Sequence, residues 1–377
     1  MGKKKETLRI AMLGHKRVPS REGGVEIVVE ELAARMAVSG HRVTCLNRAG
    51  KHVSGAENAQ TAVKEYRGIR IKTVPAIDRR GLAAMTASVT GAVAAALGRY
   101  DVVHFHAEGP CAMIWLPKLL GKRCIATIHG LDHKRAKWGK FASAYILLGE
   151  KCAARFADEI VVLSHGVQQY FRDTYGRETV LIPNGVTKPE LREAEEITQQ
   201  FGLEKDDYIL YLGRLVPEKG ISCLIEAFRQ TAVDKKLVIA GGSSNTDTFA
   251  AQLRAQAQGD DRILFTGFVQ GRALEELYSN AWCYVLPSDL EGMPLSLLEA
   301  MSYGDCCVTS DIEECAAVVE DHGLTFPKGD AAALAALLQA LWEHPEQVET
   351  YRKTAADFIL QKYNWDDVTQ RTLELYQ

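Results

Sequence analysis

Two carboxylates, two cations and a run of helix-opening amides are the residues of this sequence best placed to do chemistry. The carboxylates lie in Ser288-Asp289-Leu290-Glu291-Gly292-Met293-Pro294-Leu295-Ser296-Leu297-Leu298-Glu299-Ala300-Met301. The apolar run before them, Ala281 to Pro287, reads as a buried strand that ends at its proline. A helix should follow. Gly292 frees the turn, Pro294 suits the first helical position because its missing N–H has no use there, and Leu295, Leu298 and Met301 recur at helical spacing. The opening amides of such a helix have no internal partner and carry its positive dipole end, which makes the turn an anion site suited to a diphosphate. Glu299, in the second helical turn, leans back toward that end, where its carboxylate can accept hydrogen bonds from ribose hydroxyls. Glu291, in the turn, would face a sugar. Alone, such a pair reads more readily as two solvated charges at an exposed helix start.

The cations are Arg214 and Lys219 in Gly213-Arg214-Leu215-Val216-Pro217-Glu218-Lys219-Gly220, which joins another strand to another helix. A leaving diphosphate gains charge as its bond to a sugar breaks, and fixed cations stabilise that growth. Arg grips such a group through two donors and Lys as a point charge. The alternative for this stretch is a solvated loop turned by Pro217. Histidines close two further strands, as His104 and His106 in 101–106 and as His129 in 123–129. With His133 they invite a zinc reading, but no acidic or cysteine ligand falls beside them at a recurrent metal spacing, and no metal is expected. His129-Gly130 has the position of a cleft residue that donates to sugar or phosphate, whereas His104, inside its strand, suits a core.

These residues need a scaffold of parallel strands, and the sequence supplies two series of them. The first runs through strand-like segments at 8–13, 42–46, 69–74, 101–106, 123–129, 159–164 and 179–185, with helical patterns between. Between the first two lie a polar loop, 15–24, and the bare backbone of Gly23-Gly24 at a helix start. The small-residue stretch 81–98 is too weakly apolar to span a membrane and reads as a closely packed internal helix. Near 186–207 the pattern lapses into charged sequence, the expected junction of two domains, and a second series starts at Tyr208. At 377 residues, two domains are the ordinary expectation. The charge is nearly balanced, 45 Lys plus Arg against 48 Asp plus Glu, which gives no reason to expect a nucleic-acid partner. Nine cysteines without a Cys-x-x-Cys pair, and a basic N-terminus followed by only a short apolar run, fit reduced thiols in a cytoplasmic protein.

In order along the chain, Gly23-Gly24-Val25-Glu26, Asp101 to His106, Thr127-Ile128-His129-Gly130, Ile182-Pro183-Asn184-Gly185-Val186, Gly213-Arg214, Glu218-Lys219-Gly220, Gly241-Gly242, Phe265-Thr266-Gly267 and Glu291 with Glu299 resemble the retaining glycosyltransferases of family 4. The resemblance spans nearly the whole chain and implies an α/β, GT-B fold of two Rossmann-like domains facing across a deep cleft. It implies an acceptor-side domain over 1–187, a linker over 188–207, a nucleotide-sugar domain over 208–360 and a helix over 361–377 packing back on the first domain. It also implies catalytic roles for His129, Arg214, Lys219 and Glu291, and donor contacts from Gly23, Gly24, Gly213, Gly292, Met293, Pro294, Leu295 and Glu299. The expected partners are a nucleotide diphospho-sugar and a glycan or lipid-linked acceptor, with no cofactor. The loop Lys16 to Glu26 looks like that of bacterial rhamnosyl- and polysaccharide-assembly enzymes. Residues 133–148 combine Lys134, Arg135, Lys137 and Lys140 with Trp138, Phe141, Tyr145 and Leu148, the composition of a helix lying on the anionic inner face of a membrane. Two rival readings remain: an epimerase of the same fold, separable by its products, and a non-catalytic nucleotide-sugar-binding protein, disfavoured by the intact set of charges.

Overall fold

The computed structural model describes residues 7–50, 63–77, 79, 82–134, 139–243 and 247–377. It forms two compact units, Met1–Asn184 with Trp365–Gln377, and Gly185–Asn364.

The first unit holds eight strands: β1 (Arg9–Leu13), β2 (Arg42–Arg48), β3 (Glu65–Tyr66), β4 (Ile69–Val74), β5 (Val102–His106), β6 (Arg123–Ile128), β7 (Glu159–Val162) and β8 (Val180–Leu181). Their order is β3-β4-β2-β1-β5-β6-β7-β8, parallel throughout except the short β3–β4 pair. The central strands are buried on both faces, and Ile10, Val103, Phe105 and Ile125 are fully buried, as are the polar His104 and His106 of β5. The helix at Leu82–Leu97 departs from the internal role expected of it. Gly91, Ala92, Ala95 and Ala96 face the core, but Val89 and Leu97 lie exposed, since its small residues give close packing on one side only.

The second unit holds six parallel strands, β9 (Tyr208–Leu212), β10 (Lys236–Ala240), β11 (Ile263–Gly267), β12 (Cys283–Leu286), β13 (Cys307–Ser310) and β14 (Leu324–Phe326). The order is β11-β10-β9-β12-β13-β14. Counted within the unit this is 3-2-1-4-5-6, the doubly wound order whose direction reverses between the first and fourth strands. The loops leaving β9 and β12 therefore lie side by side, and ligands of such sheets bind there, beyond the carboxyl ends of the strands.

The expected boundaries shift. Residues 188–207 are part of the second unit, not a linker, because two apolar anchors hidden in the charged stretch, Ile197 and Leu203, are fully buried in its core. The Glu276 carboxylate fixes the same stretch by accepting from the Glu195 and Ile197 amides, at 2.9 and 3.1 Å. Residues 361–364 also stay with this unit, where the Val186 amide donates to the Tyr363 carbonyl at 2.8 Å. The return to the first unit begins at Trp365. Its helix, Trp365–Glu374, packs on the helix Gly24–Val38, and the carbonyl of Leu375 accepts from Arg123 at 2.6 Å.

Candidate functional site

Lys219 and Glu291 come from the two loops at the switch point and meet there at 2.5 Å. Their side chains are only 12% and 8% exposed, so the pair is held largely away from water. Ser288 donates to the same Glu291 oxygen, Oε1, at 2.7 Å. The carboxylate is therefore pinned from two sides. The backbone between the loops is equally close: the Asp289 amide donates to the Glu218 carbonyl at 2.9 Å, and a Cβ on Gly220 would stand 1.8 Å from the Pro287 carbonyl oxygen. Only glycine, which also tolerates the φ of +64° found there, permits that approach.

Arg214 is half-buried in the β9 loop, and among the described residues no carboxylate pairs with its guanidinium. Its loop is stitched to the neighbouring strand ends. Gly213 donates to the Ala240 carbonyl and Leu215 to that of Gly242, both at 3.0 Å, and a Cβ on Gly241 would fall 1.8 Å from the Gly213 oxygen. Below it, the Tyr211 hydroxyl donates to the Arg214 carbonyl at 3.2 Å.

The helix after β12 spans Leu295–Tyr303, with Pro294 as its N-cap rather than its first helical residue. Proline's φ of −79° fits both positions, but its ψ of 98° is extended, and the helix waits one residue. Gly292, Met293 and Pro294 thus form the approach to the helix, whose opening amides are the anion-binding end. Glu299 accepts from the buried Tyr278 hydroxyl at 3.1 Å, and Tyr278 stacks on Tyr303 at 5.1 Å. Cations, helix amides and two oriented carboxylates therefore share the carboxyl end of one sheet.

In the first unit, Gly23 caps the helix Gly24–Val38, where a Cβ would stand 2.5 Å from the Glu26 carboxylate, which accepts from the Lys16 amide at 2.8 Å. Asn47 fixes the rest of that loop, accepting from Val18 and returning a bond to its carbonyl, at 3.0 and 2.9 Å. His129 follows β6 and meets the ring of His106, Nε2 to Nδ1, at 3.2 Å. His106 stacks on His104 at 4.2 Å, and His104 is bonded to Thr127 and to the Tyr376 hydroxyl, at 2.7 and 2.6 Å. Burial drives His104 down to about 3 and His106 well below the usual histidine value, with neighbouring histidines adding to both, so the two rings are neutral.

Of the residues expected at the site, Arg214, Lys219, Glu291, Glu299, Gly213 and the turn 292–295 converge in the second unit, while in the first Gly23 and Gly24 open a helix and His129 follows a strand end. Sequence reading missed Ser288 and Tyr278, which hold Glu291 and Glu299, and the place of His106 beside His129; Asn47 and Tyr376, also missed, hold Val18 and His104. The amphipathic expectation for 133–148 is met in part. Phe141 and Leu148 are 73% and 50% exposed, but Tyr145 is half-buried, and residues 135–138 and the Lys134 side chain lie outside the described residues.

Two family descriptions match the chain: Glycosyltransferase Family 4 over residues 22–188 and Glycosyl transferases group 1 over residues 193–358. A phosphatidyl-myo-inositol mannosyltransferase of Mycobacterium leprae is 28% identical over 370 residues, covering 94% of this chain and 93% of that protein. An O-antigen chain mannosyltransferase B of Escherichia coli is 30% identical over 191 residues, 49% of each chain. Among solved structures, Anabaena HepE in complex with UDP and glucose superposes with a TM-score of 0.80 at 18% identity, covering 97% of this chain and 98% of that one, and so shares the fold.

Proposed function

We propose, for a chain that belongs to the group 1, family 4 glycosyltransferases, that it moves a sugar from a nucleotide diphospho-sugar to an acceptor hydroxyl with retention of the anomeric configuration. The observation that carries this reading is the switch-point cluster of Arg214, the Lys219–Glu291 pair and the amides opening at Leu295. Charge on a departing diphosphate meets two cations and a helix dipole there, which supports transfer without a metal on the diphosphate. Glu299 takes the ribose hydroxyls. Glu291, whose Oε1 accepts from both Lys219 and Ser288, is assigned to positioning and electrostatics rather than to a covalent intermediate. His129, oriented by His106, offers its ring to a sugar hydroxyl.

The HepE complex holds UDP, which supports a uridine donor, and the mycobacterial relative is named for a lipid acceptor. The Escherichia coli relative is named for O-antigen, which supports a place in surface-glycan assembly. Among the described residues no helix is long and apolar enough to cross a membrane, so an acceptor in lipid would be met by peripheral contact, for which Lys140, Phe141 and Leu148 are the exposed groups available.

The test is a transfer assay over a panel of nucleotide-sugars with polyprenyl- and phosphatidylinositol-linked acceptors, read by chromatography and by NMR of the anomeric proton. Acceptor-dependent transfer with retained configuration and a donor KM indifferent to Mg²⁺ is expected. An inverted product would reject retention, and an epimerised free sugar released without acceptor would reject transfer.

A further inference from the structure

Glu108, His133 and Glu150 come from three elements of the first unit, and one ligand atom from each lies within 4.8 Å of the others. Glu108 follows β5 and opens the short helix Glu108–Cys111; His133 lies in the 3₁₀ turn Asp132–Lys134 after β6; Glu150 is on the helix Lys140–Phe156. That helix reaches Glu108 only because residue 149 is glycine, where a Cβ would stand 1.9 Å from the Glu108 carbonyl oxygen.

Both carboxylates are fully buried, and among the described residues neither is ion-paired with a lysine or arginine. Glu150 Oε1 accepts from the Tyr170 and Tyr175 hydroxyls at 2.7 and 2.5 Å, while its Oε2 stands 3.1 Å from His133 Nδ1. Glu108 Oε1 accepts from the Asp132 amide at 2.8 Å, and its Oε2, also buried, has no hydrogen-bond partner among the described residues. Two buried carboxylates beside an imidazole, with one oxygen unsatisfied and no lysine or arginine paired to either among the described residues, form a site suited to a cation. A separation of 3.1 Å is within a few tenths of an ångström of the roughly 3.4 Å that two ligands about 2.1 Å from one tetrahedral ion would show.

We propose that Glu108, His133 and Glu150 bind a first-row divalent cation, with Zn²⁺ the best match to one imidazole and two carboxylates. Glu108 Oε2, Glu150 Oε2 and His133 Nδ1 are its ligands. The outer bonds from Tyr170, Tyr175 and Asp132 fix the two carboxylates, as outer partners of metal ligands do. The ion ties the segment that starts at His129 to the helix Lys140–Phe156. It sits on the first unit and takes no part in the neutralisation of the diphosphate described above, so the two readings stand or fall separately.

Untagged full-length protein, stripped with chelator and dialysed, is titrated with Zn²⁺ while thermal unfolding is followed, and with Co²⁺ while visible d–d absorption is followed. One equivalent of Co²⁺ with a ligand-field spectrum, displaced by Zn²⁺, and an unfolding temperature that rises with Zn²⁺ are expected. Glu108→Gln and Glu150→Gln, close in shape to the native residues, should each lower the affinity at least about tenfold. Wild-type protein that gives neither spectrum nor shift overturns the proposal, whatever the variants do. So does Co²⁺ binding of unchanged strength in both variants, because the ion then lies elsewhere.

Discussion

Lys219 and Glu291 are linked tightly enough that neither can be removed without cost to the other. Lys219→Ala leaves the Glu291 charge buried without its cation, a loss of about 3–5 kcal/mol in chemical denaturation for a pair of this burial. Lys219→Ala with Glu291→Ala should cost less than the sum of the single changes, and strict additivity in that double-mutant cycle would show that the pair is not coupled. Glu299→Ala takes from the buried Tyr278 hydroxyl its acceptor, at a cost of about 1–3 kcal/mol in stability, and removes the ribose acceptor, raising donor KM by a factor matching about 1.5–3 kcal/mol. An unchanged donor KM would remove Glu299 from the site. Histidines set a second dependence. His104 and His106 are held neutral in the fold, with values depressed below that of the unfolded chain, so their stabilisation is complete above about pH 6.5 and is lost as pH falls toward those depressed values, about 3 for His104. Between pH 6.5 and 5 the unfolding free energy should fall by up to about 1.4 kcal/mol per pH unit for each histidine, and His104→Gln should flatten that slope by one histidine's share.

At the scale of elements, two glycines hold the loops of the second unit against neighbouring backbone while a third merely ends a helix. Gly202 follows Glu196–Phe201 at φ +62°, with nothing within 4 Å of where a Cβ would stand. Gly202→Ala should therefore cost only the left-handed backbone penalty, about 1–2 kcal/mol. Gly220 has nearly the same φ, but its Cβ would meet the Pro287 carbonyl at 1.8 Å. Gly220→Ala must push the β9 and β12 loops apart, and with them Lys219 from Glu291. It should lower the melting temperature more than Gly202→Ala and, unlike it, weaken binding of UDP by calorimetry. Equal effects of the two substitutions would mean that the loop contact does not shape the site.

The first unit is completed by the last residues of the chain, and at the scale of the molecule this makes its stability depend on both ends of the sequence. Trp365, Val368, Leu373 and Tyr376 are buried there, each worth about 1.5–3 kcal/mol, a total comparable with the stability of a whole domain. Deletion of 365–377 should unfold the first unit and leave the second folded and protectable by UDP, seen as loss of one calorimetric transition and as proteolysis confined to residues before 185. A truncated protein with both transitions intact would contradict this. The reach of sequence reading follows from the same organisation. Strand-to-helix alternation, the two cations, the two glutamates and the helix-opening turn were legible because each is local: apolar runs, glycine and proline act on their own neighbours. The boundary near 188–207 was misread because Ile197 and Leu203 are two apolar residues in a charged stretch, and their burial is known only once the sheet they cover exists. Pairings such as His104 with Tyr376, Glu299 with Tyr278, and Glu108 with His133 and Glu150 leave no periodic trace, because they join residues far apart in the chain that are brought together by the winding of the sheets. Which residues could do chemistry, and which strand ends carry them, follows from local pattern; which of them are held, by what and at what distance follows from long-range register and burial that no local pattern encodes.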